Sequence, residues 1–362
     1  MKGIVSILKE SLNDSDWEVV DTPYYEQGSL DEPVTDPLHF TAPQIDYQPD
    51  KPSPTDRIVI PTIDVKNNAE YFIDGVMHTA IVGYVHNAII GTFPLLAGDV
   101  GACCGELYQK AFSIVTHKRA FLFAYPKEWT LSDEIACRLT NSFNRPDFPF
   151  IPLQYPSALS QSTSHSEQSK GRYKEASDEI LEYMRKEEKK ILDGIVRNTE
   201  KSYHVYVDGE FQSDDERYDS AKVISICKQL SLPSIEKRFH LKVTDVTQLE
   251  DGQVSPSYKW PNEGGSLTQN WHTWFMRLRQ HSIPDRDRTM SDIIQCTIVS
   301  KNIPDENLIK EWANRLSSLA YPTCYGLDKK RWRTHIYPIY LTELYGKQKQ
   351  LSIEHFNKLI YG

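Results

Sequence analysis

The runs AEYFIDG at residues 69–75 and SYHVYVDG at residues 202–209 decide how this chain is read. Each is a short, aromatic and β-branched segment, the composition of a buried strand. Each closes on Asp-Gly, as Asp74-Gly75 and Asp208-Gly209. In each, an aspartate finishes the strand and a glycine turns the chain away. An acid at the end of a buried strand is costly to desolvate unless something positive meets it. Asp-Gly is also a common turn pair, so either aspartate alone reads as a turn residue with its side chain in water.

Between the two runs lies YKEASDEILEYMRKEEKKILDGIVR, residues 173–197, the clearest helix of the sequence. At about 100° per residue, Ile180, Leu181, Met184, Ile191, Leu192 and Ile195 form one apolar stripe. Glu188 falls near the middle of that stripe and Glu187 at its edge. A glutamate on a packed helix face is a salt-bridged or snorkelling side chain when considered alone. Taken together, Asp74, Asp208 and Glu188 are the ligand types that hard divalent cations require. Mg²⁺ or Mn²⁺ held by such a set orients water and stabilises charge on a phosphate.

Further strands read at VISICK (223–228), HTWFMRLRQ (272–280) and IIQCTIVSK (293–301). HTAIVGYVHNAIIGTFPLL (78–96) reads as a hairpin of buried strands with a turn at His86-Asn87. Residues 106–125 leave helix-then-strand and strand-then-strand both open. Residues 131–143 and 306–319 predict helices, and the end of the chain is mostly helical. Strands alternating with helices around a charged centre predict a mixed α/β fold. Residues 1–55 predict a short amphipathic helix followed by an extended Pro-, Asp- and Tyr-rich arm. The rest, 56–362, predicts one domain with a flexible Ser-rich loop at 156–171 inside it.

The formal net charge of −9 excludes a basic nucleic-acid coat protein. A chain of this balance binds DNA only through a local basic groove or with a partner that delivers it. The six cysteines form no CxxC and no zinc spacing, which predicts reduced core thiols in the cytoplasm. No signal peptide is expected at the N-terminus, where Lys9 and Glu10 interrupt the apolar stretch. The uncharged run from Gly75 to Gly98 is long enough to span a bilayer, but its glycines, Pro94 and His86-Asn87 favour buried strands. No membrane association is therefore expected.

Lys228, at the end of its strand, is placed to neutralise phosphate charge. Arg277 and Arg279 alternate, so they share one face of a strand. Arg331, Arg333 and His335, with Trp332 between them, form the densest cationic patch. These arginines read equally as nucleic-acid contacts or as a solvated charged face. The phosphate-binding P-loop and the G-x-S-x-G nucleophile elbow are both missing from the sequence.

The ordered set of features resembles the NurA nucleases. Its pieces are strand-Asp-Gly at 72–75, a helix carrying Arg185 and Glu188, strand-Asp-Gly again at 205–209, strand-Lys at 223–228, an arginine strand at 275–279 and a Tyr-Pro segment from Tyr337 to Leu341. The resemblance implies an RNase H-like mixed-sheet core flanked by helices. It also implies Mn²⁺- or Mg²⁺-dependent exonucleolytic and endonucleolytic cleavage of DNA by a homodimer. Its implied partner is a HerA-like hexameric ATP-driven DNA translocase, in DNA end processing or antiviral defence. Carried over by position, Asp74, Glu188 and Asp208 become metal ligands and Lys228 an active-site base or phosphate contact. The family's C-terminal histidine corresponds either to His335 or to the position of Glu343. The competing reading is a non-catalytic RNase H-like adaptor subunit of a translocase complex.

Overall fold

The computed structural model describes residues 3–12, 15–20, 69–109, 111–130, 132–145, 148–156, 165–199, 202–210, 218–228, 243–250, 253–260, 271–278, 293–320 and 336–361. In chain order the elements begin with α1 (Ile4–Ser11) and β1 (Glu18–Val20). Three long strands follow, β2 (Ala69–Asn87), β3 (Gly91–Tyr108) and β4 (Ala111–Pro126). Then come α2 (Asp133–Phe143), β5 (Ile151–Tyr155) and the long helix α3 (His165–Asn198). The second half holds β6 (Tyr203–Asp208), β7 (Val223–Cys227), α4 (Val243–Thr247), β8 (Tyr258–Trp260), β9 (Trp271–Arg277) and β10 (Ile293–Val299). Helices α5 (Glu306–Ser318), α6 (Tyr337–Lys349) and α7 (Ile353–Tyr361) close it.

Strands β2, β3 and β4 form an antiparallel meander. Strand β6 pairs in parallel with the first five residues of β2, and β7 in parallel with β6. The order β4-β3-β2-β6-β7, with β3 reversed, is the strand arrangement of an RNase H-like core. The sheet extends through β10, β9 and β8 on one side and β5 on the other, and β1 adds to β2, giving ten strands among the described residues. The expected mixed α/β sheet flanked by helices is therefore present.

The β2–β3 turn is set by Asn87, whose side-chain oxygen accepts from the backbone N–H of Ile89 (2.9 Å) and Ile90 (3.1 Å). Gly91 follows at φ 103°, a conformation that costs a side-chain-bearing residue strain. The uncharged run 75–98 is thus the adjoining parts of β2 and β3 and the turn between them, with Phe93, Leu95 and Leu96 buried. Among the described residues no helix is long and apolar enough to cross a membrane. Residues 106–125 resolve as strand then strand. Helix α3 starts at His165, eight residues before the expected position, inside the Ser-rich stretch. Helix α1 is built into the body: Ile4, Ile7 and Leu8 are buried in one cluster with Phe93, Phe123 and Phe356. The Pro-rich part of the expected arm, residues 21–55, and the boundary at 55–56 lie outside the described residues.

Helix α3 packs on one sheet face and α6 on the other. A Cβ added at Gly98 would lie 2.8 Å from Ile180 of α3. A Cβ added at Gly346 of α6 would lie 3.0 Å from Val76. Near the start of β2, Glu70 ties three elements together. It is 2% exposed and accepts from Tyr206 Oη of β6 (2.7 Å) and Arg315 Nη1 of α5 (3.0 Å). Removing one partner of such a buried pair costs roughly 3–5 kcal/mol because the other charge is left uncompensated. Glu70→Ala is expected to lower unfolding stability on that scale in a urea titration; a loss under about 1 kcal/mol would show the pair to be solvent-screened.

Candidate active site

The two Asp-Gly runs are brought side by side. Parallel pairing matches Tyr71 with Val205, Phe72 with Tyr206 and Ile73 with Val207, so Asp74 and Asp208 come next on adjacent strands. Phe72 and Tyr206 stack at 4.9 Å between ring centroids on the α5–α6 face. Side chains alternate along a strand, so Asp74 and Asp208, two residues on, point the same way. Asp208 is paired with Ile226 of β7, which places Lys228 on that face as well. Lys228 Nζ donates to Asp208 Oδ2 at 2.8 Å.

The strand ends differ from their expected form in one respect. Strand β6 does stop at Asp208, and Gly209 turns at φ 90°. Asp74 does not end its strand, because β2 runs on to Asn87 and Gly75 is an ordinary strand residue paired with Ala102. Gly75 is required for space instead. A Cβ there would lie 2.5 Å from Glu188 Oε1 and 2.7 Å from Met184 Cε, both on α3. The bare backbone lets the inward glutamate of α3 settle against the sheet beside Asp74. The site thus sits where β6 ends while β2 and β3 continue.

Electrostatics follow from burial. Asp74 is held well above the usual carboxylate range, first by burial, then by the charge of Asp208, with Glu343 and Glu188 adding and Lys228 opposing. Glu188 is pushed up to about 8 by burial, then by Asp208, with Arg185 opposing. Burial pulls Lys228 down, but Asp208 and Asp74 outweigh it and its pKa is raised, so it stays protonated. Glu343 of α6 acts on both Asp74 and Lys228, which puts this alternative C-terminal acid beside the site. Cys103, the register partner of Asp74, is pushed up to about 12 by burial and by Asp74 and Glu188, an inert thiol at neutral pH.

Two observations fit a hard divalent cation here. Among the described residues, the buried Asp74 Oδ2 has no hydrogen-bond partner. The acids gathered around it are all oxygen donors. Among the described residues no three His, Cys, Asp or Glu side chains form a closed set of metal donors. Carboxylates in dry surroundings repel one another until a proton or a cation neutralises them.

The arginine expectations fare differently. Arg277 is 4% exposed and does not face solvent. Its guanidinium donates to Leu249 O (2.5 Å) and Thr247 O (2.8 Å), carbonyls at and just past the C-terminus of α4. A buried guanidinium needs acceptors, and a helix C-terminus supplies them with a favourable dipole. Arg277 is thereby corrected from a nucleic-acid contact to an internal cap. Arg279, Arg331, Arg333 and His335 lie outside the described residues.

A raised carboxylate binds protons in the folded chain that the unfolded chain has already lost. Stability should therefore fall as pH rises from about 4.5 to about 8. Glu188→Gln removes the titrating charge and keeps the shape. In chelator at pH 8 it is expected to be more stable than wild type, on the order of 2 kcal/mol, with a flatter pH profile in denaturant titrations. An unchanged profile would place Glu188 in water.

No family model matches the chain, and no curated protein matches it. Among solved structures it is similar to the crystal structure of the NurA nuclease from Sulfolobus solfataricus, at 14% sequence identity and a TM-score of 0.43, covering 81% of this chain and 83% of that chain.

Proposed function

We propose that this protein is a divalent-cation-dependent nuclease that hydrolyses DNA phosphodiester bonds. What supports the reading is that Asp74 and Asp208 lie on adjacent strands facing one way, that Lys228 is bonded to Asp208, that Glu188 lies against Gly75, and that Asp74 Oδ2 is buried and unpartnered among the described residues. Asp74, Asp208 and Glu188 would hold Mn²⁺ or Mg²⁺, which supplies an activated water and neutralises charge on the phosphate. Lys228 holds Asp208 in one orientation and, staying protonated, offers a positive charge towards a phosphate oxygen. With Asp74 and Glu188 holding protons in the absence of a cation, metal binding would release those protons and so strengthen as pH rises.

The net charge of −9 gives the chain no global attraction for DNA. A HerA-like hexameric translocase that feeds DNA to a dimer of this chain fits that balance. A DNA-end or invading-DNA substrate suits the same arrangement.

Asp208→Asn or Asp74→Asn is expected to lower Mn²⁺-dependent cleavage of labelled DNA by roughly 100-fold or more, with circular dichroism unchanged; the scale is that of losing one preorganised charged group. Retained cleavage in Asp208→Asn would sink the assignment. Absence of Mn²⁺ binding by wild type in calorimetry would favour the adaptor reading. Gly75→Ala displaces only the flexible ends of Glu188 and Met184. It is therefore expected to fold and to lose cleavage on a similar scale, roughly 10–100-fold, as a misplaced catalytic group does. Full activity in Gly75→Ala would remove Glu188 from the site.

A further inference from the structure

One edge of β2 is paired by β3, but the other is paired only by β6 at Ala69–Ile73 and by β1 at Tyr84–His86. Among the described residues no strand pairs with that edge from Asp74 to Gly83, so the sheet has an opening directly past the end of β6. Helix α3 runs along β2 in the opposite direction. A Cβ at Gly98, the neighbour of Thr79, would meet Ile180, and one at Gly75 would meet Glu188. Contacts settle the two flanks of α3. Glu187 reaches Lys118 of β4 on one side (3.3 Å). On the side of β6 and β7, Asp193 accepts from Tyr218 Oη (2.7 Å). Arg185 and Lys189 precede Asp193 by eight and four residues, so they share that second flank. At 1.5 Å per residue Arg185 stands about 12 Å back along the axis from Asp193. It lies one turn before Glu188, beside the opening, where no strand separates the two faces. The charge of Arg185 acts on Glu188 and on Asp178. Yet among the described residues neither Arg185 nor Lys189 forms a hydrogen bond or an ion pair. Lys186, Lys190 and Arg197 of the same helix pair with Glu182, Glu187 and Asp193. Like charges four residues apart cost a helix stability, and here no bonded acid offsets the cost.

We propose that Arg185 and Lys189 form a basic ridge that holds backbone phosphates of the DNA strand at the opening past β6; the proposal rests on the nuclease reading above. Arg185 supplies a planar fork of donors that fits two phosphate oxygens, and Lys189 a mobile point charge. Both are half-buried rather than enclosed, so their heads remain within reach of a ligand. The ridge gives a chain of net charge −9 the local attraction for phosphate that its overall balance denies. It contacts backbone and not bases, so it positions a strand without reading sequence.

The test is fluorescence anisotropy of a labelled oligothymidylate with the full-length chain in chelator, where nothing is cut. Arg185→Ala is expected to weaken binding about tenfold and to lower the salt slope by about one. Arg185→Lys is expected to keep the slope and to lose only part of the affinity, because charge stays while the fork is lost. Lys189→Ala is expected to lower the slope in the same way as Arg185→Ala. Lys186→Ala, which removes a cation already paired with Glu182, is expected to bind like wild type. Wild-type affinity and slope in Arg185→Ala overturn the ridge, as does a wild type that does not hold the oligonucleotide. A loss in Lys186→Ala as large as that in Arg185→Ala shows diffuse attraction and also overturns it. Calorimetry with Mn²⁺ separates a phosphate contact from a support for Glu188. Removing a neighbouring cation should leave Mn²⁺ affinity equal or higher in Arg185→Ala. Weaker Mn²⁺ binding with an intact salt slope makes Arg185 a support and sinks the proposal. Cleavage is scored separately in Mn²⁺. A chain that cuts DNA with binding unchanged in every variant loses the ridge and keeps the nuclease. A chain that responds in binding as expected but cuts nothing loses the nuclease and keeps a strand-binding ridge.

Discussion

The parallel pairing of β2 with β6 is the constraint from which the site follows. It puts the buried Asp74 and the partly exposed Asp208 on adjacent strands, on one face. Two carboxylates about 5 Å apart at an effective dielectric near 20 repel by on the order of 3 kcal/mol. Lys228 offsets part of that through Asp208, but Glu188 and Glu343 add negative charge from two helices. The pocket has more acid than base close at hand, so protons or a cation must complete it.

The sheet works at this point because it is approached from both faces. Gly75 admits α3 on one side, and Gly346 lets α6 settle over Val76 and Cys103 on the other. Acids from two helices are therefore carried to the end of β6 by backbone contact rather than by long flexible side chains. The supporting interactions lie away from the chemistry. Glu70 joins β2, β6 and α5, and Asp99 accepts a bidentate pair from Arg119 (2.8 and 2.7 Å) together with the backbone N–H of Leu351 (2.8 Å). The second of these ties the α6–α7 junction to β3 and β4, so the helix bearing Glu343 is fixed to β3, the strand paired with Asp74.

Much of this was legible in the chain. The alternation and β-branching of 69–75, 202–209, 223–228, 272–280 and 293–301 marked strands, and the 3.6-residue stripe marked α3 with Glu188 inside it. Local reading failed where the physical cause was distant. Asp74-Gly75 reads as a strand end because Asp-Gly usually turns; β2 runs on because β3 pairs with it at seventeen positions from Glu70 to Asn87, twelve of them past Asp74. Arg277 alternates with Arg279 and reads as an exposed cation, but the helix end at Thr247 takes it inward. No local signal could have joined Lys118 to Glu187, residues that are neighbours only because α3 lies across β4.

By itself the sequence determined most element types, though not those of residues 106–125, together with the place of Glu188 on the apolar stripe and the chemical nature of the donors, because periodicity and residue type are local properties of the chain. Tertiary structure alone decided that Asp74 and Asp208 come onto adjacent strands with Lys228 bonded to Asp208, that Gly75 serves as clearance for Glu188 rather than as a turn, and that Arg277 is internal. The physical reason is that a carboxylate's role is set by its dielectric surroundings and by the charges nearest to it, and those come from strands and helices more than a hundred residues apart.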